Sequence, residues 1–168
     1  FTFFFLEGLF EILIYFRLMP AYRTMSINQV TDDILLYKVP RKIYNDIDNN
    51  GFRNELIPQK SNIVVLGDSQ TYGYNALRDD AWPQQLAKKL DTIVYNMGMG
   101  GYGPAQYYYV LDQALNFKPE TILIGFYLGN DITNSCEVFK YSKYWRQFAK
   151  DEKLDIKGCD NDSDDINA

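Results

Sequence analysis

Ile63-Val64-Val65-Leu66-Gly67-Asp68-Ser69-Gln70-Thr71-Tyr72-Gly73 is the stretch from which the rest of the chain can be organised. Four apolar residues, three of them β-branched, predict a buried strand. Gly67 lets the backbone turn, and Asp68-Ser69 stands where the strand ends. A helix signal comes soon after, which puts the Ser69 hydroxyl at the carboxyl edge of a sheet. Open α/β folds keep their ligand sites at that edge. Gly, Asp and Ser are also ordinary turn formers, so the reading depends on the loops that succeed the later strands.

Further along, the chain alternates. Pro83 to Leu90 reads as a helix with proline in its first turn. Ile93–Asn96 reads as a second strand, Pro104–Leu115 as a second proline-opened helix, and Thr121–Tyr127 as a third strand. Strand–helix–strand–helix–strand predicts right-handed crossovers and a parallel sheet covered on both faces. After Ile132 the pattern fades, with one more aromatic-rich helix expected over Tyr141–Lys150. Three strands leave both sheet edges open, which points to a missing C-terminal part. In Tyr107-Tyr108-Tyr109, consecutive helical residues spread over three directions, so at least one tyrosine belongs to the core.

The N-terminal Phe1–Met19 is strongly apolar and stops at Pro20. Its length approaches a membrane span. Glu7 and Glu11 share one helix face, and a carboxylate at mid-bilayer costs roughly 2.5–3.5 kcal/mol. Residues 1–20 therefore read as the interfacial end of a membrane anchor or, as runner-up, an amphipathic helix lying on the membrane. Residues 21–62 read as a linker with a small hairpin: Ile34–Val39 is a short strand and Asn49-Asn50-Gly51 a turn. Residues 63–135 form the α/β core and 136–168 a polar insertion or tail.

Composition narrows the function classes. A net charge of -5 without a basic stripe excludes nucleic acid as a partner. Cys136 and Cys159 form neither a C-x-x-C pair nor a His/Cys cluster, so no metal site is expected. They leave open a disulfide, if the domain lies outside the cytoplasm, or two free thiols. The chain has 0 histidines, so no imidazole base is available within it.

Three loops succeed the three strands: Gly67-Asp68-Ser69, then Asn96 through Gly103, then Gly129-Asn130-Asp131. In a parallel sheet all three emerge on one side. A hydroxyl, a glycine-rich backbone and a side-chain amide meeting in one crevice are the parts acyl transfer needs, a nucleophile and donors for a developing oxyanion.

On these residues the chain resembles the SGNH (GDSL-type) hydrolases. Gly67-Asp68-Ser69 with Thr71 and Gly73 matches the family's first motif, Asn96–Gly101 its glycine motif, and Gly129-Asn130-Asp131 its third. The resemblance covers roughly residues 27 to 135. It implies a flavodoxin-like three-layer α/β/α sandwich and ester or acyl chemistry, often on acetylated sugars or lipids. It assigns Ser69 as nucleophile. The backbone N–H groups of Ser69 and Gly101 and the side chain of Asn130 would form the oxyanion hole, supported by Gly67, Asp68 and Asp131. The apolar start is similar to that of membrane-anchored bacterial members, which implies an extracytoplasmic domain. The family's Asp-x-x-His motif has no match here.

A serine hydroxyl is a poor nucleophile without an adjacent base. Asp68 is next in sequence, but neighbours on an extended turn usually point apart. A triad lacking a member retains roughly 10³–10⁴-fold over water. These residues alone are therefore expected to be nearly inactive, and a longer protein active. An O-acyltransferase of the same fold and a non-catalytic glycan-binding or assembly module are the alternatives. The expected partners are a small-molecule, glycan or lipid ester, and the membrane through residues 1–20; no cofactor is expected.

Two rival motifs are weaker. Gly98-x-Gly100-x-x-Gly103 has dinucleotide-binding spacing, but Asp131 lies 28 residues beyond Gly103 (131 minus 103). The expected acid stands about 20 residues on, and Pro104 removes an N–H from the helix start. Asp160, Asp162 and Asp164 fit the first positions of a calcium loop, but Asp165 replaces its glycine. A solvated acidic loop accounts for them better.

Overall fold

The computed structural model describes residues 29–40 and 46–159. The anchor reading of residues 1–20 and the acidic stretch Asp160–Asp165 lie outside the described residues. An antiparallel hairpin of β1 (Val30–Asp32) and β2 (Leu36–Lys38) precedes three parallel strands, β3 (Ile63–Gly67), β4 (Val94–Asn96) and β5 (Thr121–Gly125). The helices are α1 (Ser69–Tyr72), α2 (Trp82–Leu90), α3 (Pro104–Leu115), α4 (Asp131–Tyr141) and α5 (Lys143–Asp151).

The parallel sheet has the order β4-β3-β5, with Val65 opposite Asn96 and Gly67 opposite Gly125. The chain moves from β3 to β4 on one side, then crosses back over β3 to β5 on the other. The direction of winding thus reverses between β3 and β5, and at such a switch point the crevice opens beyond the strand ends.

Alternation along β3 places the helices. Val64 and Leu66 are in one buried cluster with Tyr107, Val110 and Ala114 of α3. Gly67 points the other way. A Cβ there would collide with Thr71 of α1, and one on Gly125 would meet Thr71 and come within 3.6 Å of the Trp82 ring of α2. So α3 lies on one face of the sheet, and α1 with the start of α2 on the other. The molecule is mixed α/β, a three-stranded parallel sheet flanked by helices, compatible with a three-layer sandwich.

The expected third strand ends at Gly125 rather than Tyr127. The last helix covers 143–151, with Trp145 and Ala149 buried one turn apart. The helix α4 was not foreseen. Its sequence, Asp-Ile-Thr-Asn-Ser-Cys-Glu-Val-Phe-Lys-Tyr, is poor in strong helix formers. Tertiary contacts hold it instead. Val138 is fully buried, the Ala105 N–H donates to Ser135 Oγ at 3.2 Å, and Cys136 is bonded to Cys159. The cysteine pair left open by the sequence is thus a disulfide.

The stretch read as a linker also carries core residues. Val39, Ile47 and Phe52 join the cluster that contains Val64 and Leu66. Of the three consecutive tyrosines, Tyr107 is buried, and Tyr108 and Tyr109 are exposed.

Candidate functional site

Asp68 caps the single turn of α1, its Oδ1 accepting from the Gln70 N–H at 2.9 Å. That geometry folds the carboxylate back over the turn. Contrary to the expectation that neighbours point apart, Ser69 Oγ donates to Asp68 Oδ2 at 3.3 Å. The distance is long for an O–H···O bond, so it holds the hydroxyl only weakly. Asp68 is fully buried, and Ser69 is half-buried and reachable.

The glycine-rich loop is wired to this turn. Asn96 is fully buried, its Nδ2 donating to Thr71 O at 3.0 Å and its Oδ1 accepting from the Gly98 N–H at 2.8 Å. The Met99 N–H donates to Gly67 O at 2.9 Å. A Cβ on Gly98 would meet the Tyr72 nitrogen at 2.7 Å, so only glycine lets the loop approach α1 this closely. The Tyr102 N–H donates to Met99 O at 3.1 Å, and the Gly103 N–H to Gln106 Oε1 at 2.9 Å. A bound pyrophosphate would need these amides, which argues against the dinucleotide reading. Among the described residues, no hydrogen bond occupies the N–H of Ser69 or of Gly101. Gly101 has φ +82°, in the left-handed region that glycine enters without strain.

The third loop closes against the second. Tyr107 Oη donates to Asp131 Oδ2 at 3.0 Å and lies 3.1 Å from Tyr102 O. The Tyr127 N–H reaches the same Asp131 oxygen at 2.9 Å. Gly103 abuts the Asp131 carbonyl with no room for a side chain. Asp131 is fully buried, and its Oδ1 has no partner among the described residues. Burial holds its carboxyl above the ordinary value, and the charge of Asp68 adds to this. The Tyr127 N–H and the Tyr107 hydroxyl act in the opposite sense. That the charge of Asp68 is felt at Asp131 places the residue before Ser69 and the residue after Asn130 near each other. Burial, and next the Asp131 charge, raises Tyr107, so its phenol stays a donor.

Asn130 is half-buried at the start of α4, and its Oδ1 is enclosed without a hydrogen-bond partner among the described residues. Its amide is therefore not committed to holding the fold.

Gly67, Asp68, Ser69, Gly101, Asn130 and Asp131 thus all lie at the carboxyl edge of the sheet, on loops bonded to one another. Among the described residues, the assembly offers an accessible hydroxyl, two unoccupied backbone donors and an amide with no hydrogen-bond partner for its oxygen. It contains no imidazole. Among the described residues, no three His, Cys, Asp or Glu side chains gather as metal ligands.

Sequence reasoning missed the supports behind this edge. Arg53, with its side chain 2% exposed, donates to Gly73 O at 2.6 Å and Ala76 O at 2.9 Å and is paired with Asp46 at 2.9 Å. Asn54 brackets Asn96, accepting its N–H at 2.9 Å and donating to its carbonyl at 2.8 Å. The only cue was a polar pair beside Phe52 in a stretch without strong periodicity. No family model, curated protein or solved structure matches the chain.

Proposed function

We propose that this chain carries the nucleophile and oxyanion-binding part of an SGNH-type serine ester hydrolase or acyltransferase. In the reaction, Ser69 Oγ attacks an ester carbonyl and its proton passes to a base. The C–O bond to the leaving alcohol then breaks as that alcohol takes up a proton, leaving an acyl-serine. Water or a second hydroxyl completes the cycle. The observation that carries this reading is the pair of N–H groups, Ser69 and Gly101, without a partner among the described residues, on loops bonded together beside a reachable hydroxyl. Donors left free in that way are what a tetrahedral oxyanion requires. No histidine is among these 168 residues to serve as that base. The Cys136–Cys159 bridge is consistent with an oxidising, extracytoplasmic setting for the domain. The apolar Phe1–Met19 supports attachment to a membrane.

Acyl transfer from p-nitrophenyl acetate, with imidazole added as external base, tests the reading. Peptide mapping should find the acetyl group on Ser69 ahead of the other serines. Asn130→Ala should slow its arrival about 100-fold, the usual effect of removing one oxyanion donor. Acetylation without preference for Ser69 would refute it. Enzyme-like turnover without imidazole, abolished by Ser69→Ala, would show that a base is already present. A binding module that keeps the fold without the chemistry is the second reading. The absence of histidine favours it, and unreactive Ser69 under these conditions would support it.

A further inference from the structure

We propose that Tyr37 is a positioning residue that, with Gln29, aims the N–H of Gly101 into the crevice. The inference rests on the oxyanion role proposed for Gly101 and assigns a function to a hairpin that the motifs do not include.

The two peptide planes that meet at the Gly101 Cα are each held from the hairpin side. Gln29 Nε2 donates to Gly100 O at 3.3 Å, on the plane that carries the Gly101 N–H. Tyr37 Oη donates to Gly101 O, on the next plane. The contact is returned, because Tyr102 Oη donates to Tyr37 O at 3.0 Å and the two rings lie 5.8 Å apart. Each tyrosine thus grips the backbone next to or at the other, a crossed clasp around one glycine. The Tyr37 ring also fills the space that a side chain at residue 101 would need. Glycine has the widest backbone freedom of any residue, so an unclasped Gly101 could turn its N–H away. Burial, and next the charge of Glu137, pushes the Tyr37 phenol up to about 12, so it remains a donor near neutral pH.

The clasp has a rigid mount. Asp32 Oδ1 accepts the N–H groups of Ile34 and Leu35 and shapes the turn of the hairpin. The turn is fastened to α5 and the residue preceding it. Trp145 Nε1 donates to Ile34 O at 3.0 Å, and Ser142 Oγ donates to Asp33 O at 2.7 Å. Tyr37 therefore transmits the position of a packed helix pair to a backbone amide at the sheet edge.

Gly100-Gly101 is the only Gly-Gly step among the 11 glycines, so a chain labelled with carbonyl-¹³C,¹⁵N-glycine shows one amide split by a labelled carbonyl, that of Gly101. In Tyr37→Phe the amide-to-α-proton couplings of Gly101 should change, reporting an altered φ. Phenylboronic acid, a tetrahedral mimic formed on a serine hydroxyl, should bind about 10-fold more weakly and shift the Gly101 amide less. Wild-type couplings in Tyr37→Phe would overturn the proposal. So would unchanged boronate affinity in a variant whose wild-type parent binds through Ser69. Boronate binding that is absent in the wild-type chain or survives Ser69→Ala would count instead against the serine reading, and the ligand-free couplings would still decide the clasp. If Tyr37→Phe does not fold, Gln29→Ala, an exposed change, should move the same couplings in part; no movement would overturn the proposal.

Discussion

On the β4 side of the sheet, the outward N–H and C=O of Asn96 are both met by the side-chain amide of Asn54, which acts as a one-residue substitute for a neighbouring strand. On the β5 side, no described segment pairs with the strand. There Ile124 is 59% exposed and Leu128 80%. The buried acids differ in the same way. On the β4 side, Asp48 accepts from Tyr95 Oη at 2.8 Å, Asn54 Nδ2 at 3.0 Å and the Asn50 N–H at 2.8 Å. Asp131, beyond β5, keeps one oxygen without a partner among the described residues. On one flank the edge of the strand and its buried acid are satisfied by side chains of the fold, and the other presents an unpaired strand, apolar side chains, a half-paired acid and an amide oxygen without a partner among the described residues. The candidate site lies where the two flanks meet, so rigid support reaches it from the β4 side and an unpaired strand borders it on the β5 side.

Substitutions on the two flanks should therefore differ sharply in cost. Arg53→Ala should destabilise most, by about 3–5 kcal/mol in urea unfolding. It removes a charged donor from the Gly73 and Ala76 carbonyls of the segment after α1 and leaves Asp46 without its cation. Asn54→Ala should cost about 2–4 kcal/mol, because it strands a buried N–H and a buried C=O at roughly 1–3 kcal/mol each. A loss below about 1 kcal/mol in Asn54→Ala would show that the β4 edge is closed by something other than this side chain, and one in Arg53→Ala that the segment after α1 is held by other contacts.

Asp131→Asn sharpens the comparison through pH. The raised carboxyl means that the folded protein binds this proton more tightly than the unfolded chain does. Its stabilising share is full below the ordinary value of 3.8 and is lost as pH rises through the folded value. An asparagine does not titrate and can still accept from Tyr107 and Tyr127. The variant should therefore gain on the wild type as pH increases from about 4 towards neutrality. A constant difference across that range would mean that Asp131 is not destabilised by its burial. The smallest effect belongs to the bare edge. Ile124→Lys should change stability by less than about 0.5 kcal/mol and reduce self-association in sedimentation, since a charge on an open strand discourages edge pairing. A loss above about 1 kcal/mol would show that the edge is packed.

Much of this arrangement is legible in the chain. Strands β3 to β5 are short runs rich in β-branched residues, and α2 and α3 open on proline, so local chemistry places the turns that carry Ser69, Gly101 and Asn130. The parts that escaped are those made by distant pairs. Asn54 meets Asn96 across 42 positions, and Tyr37 meets Gly101 across 64, with no periodicity to announce either. The helix α4 escaped because Val138, Ser135 and the disulfide hold a segment whose own propensity is weak. The contact between Ser69 and Asp68 escaped because capping reverses the usual divergence of neighbours.

The sharpest test is a crystal structure of the chain soaked with phenylboronic acid. The expected result is boron bonded to Ser69 Oγ, with one of its oxygens within hydrogen-bond reach of the Gly101 N–H and the Asn130 amide. A boronate attached to another hydroxyl, or one on Ser69 with its oxygens turned away from residues 101 and 130, would refute the proposed site.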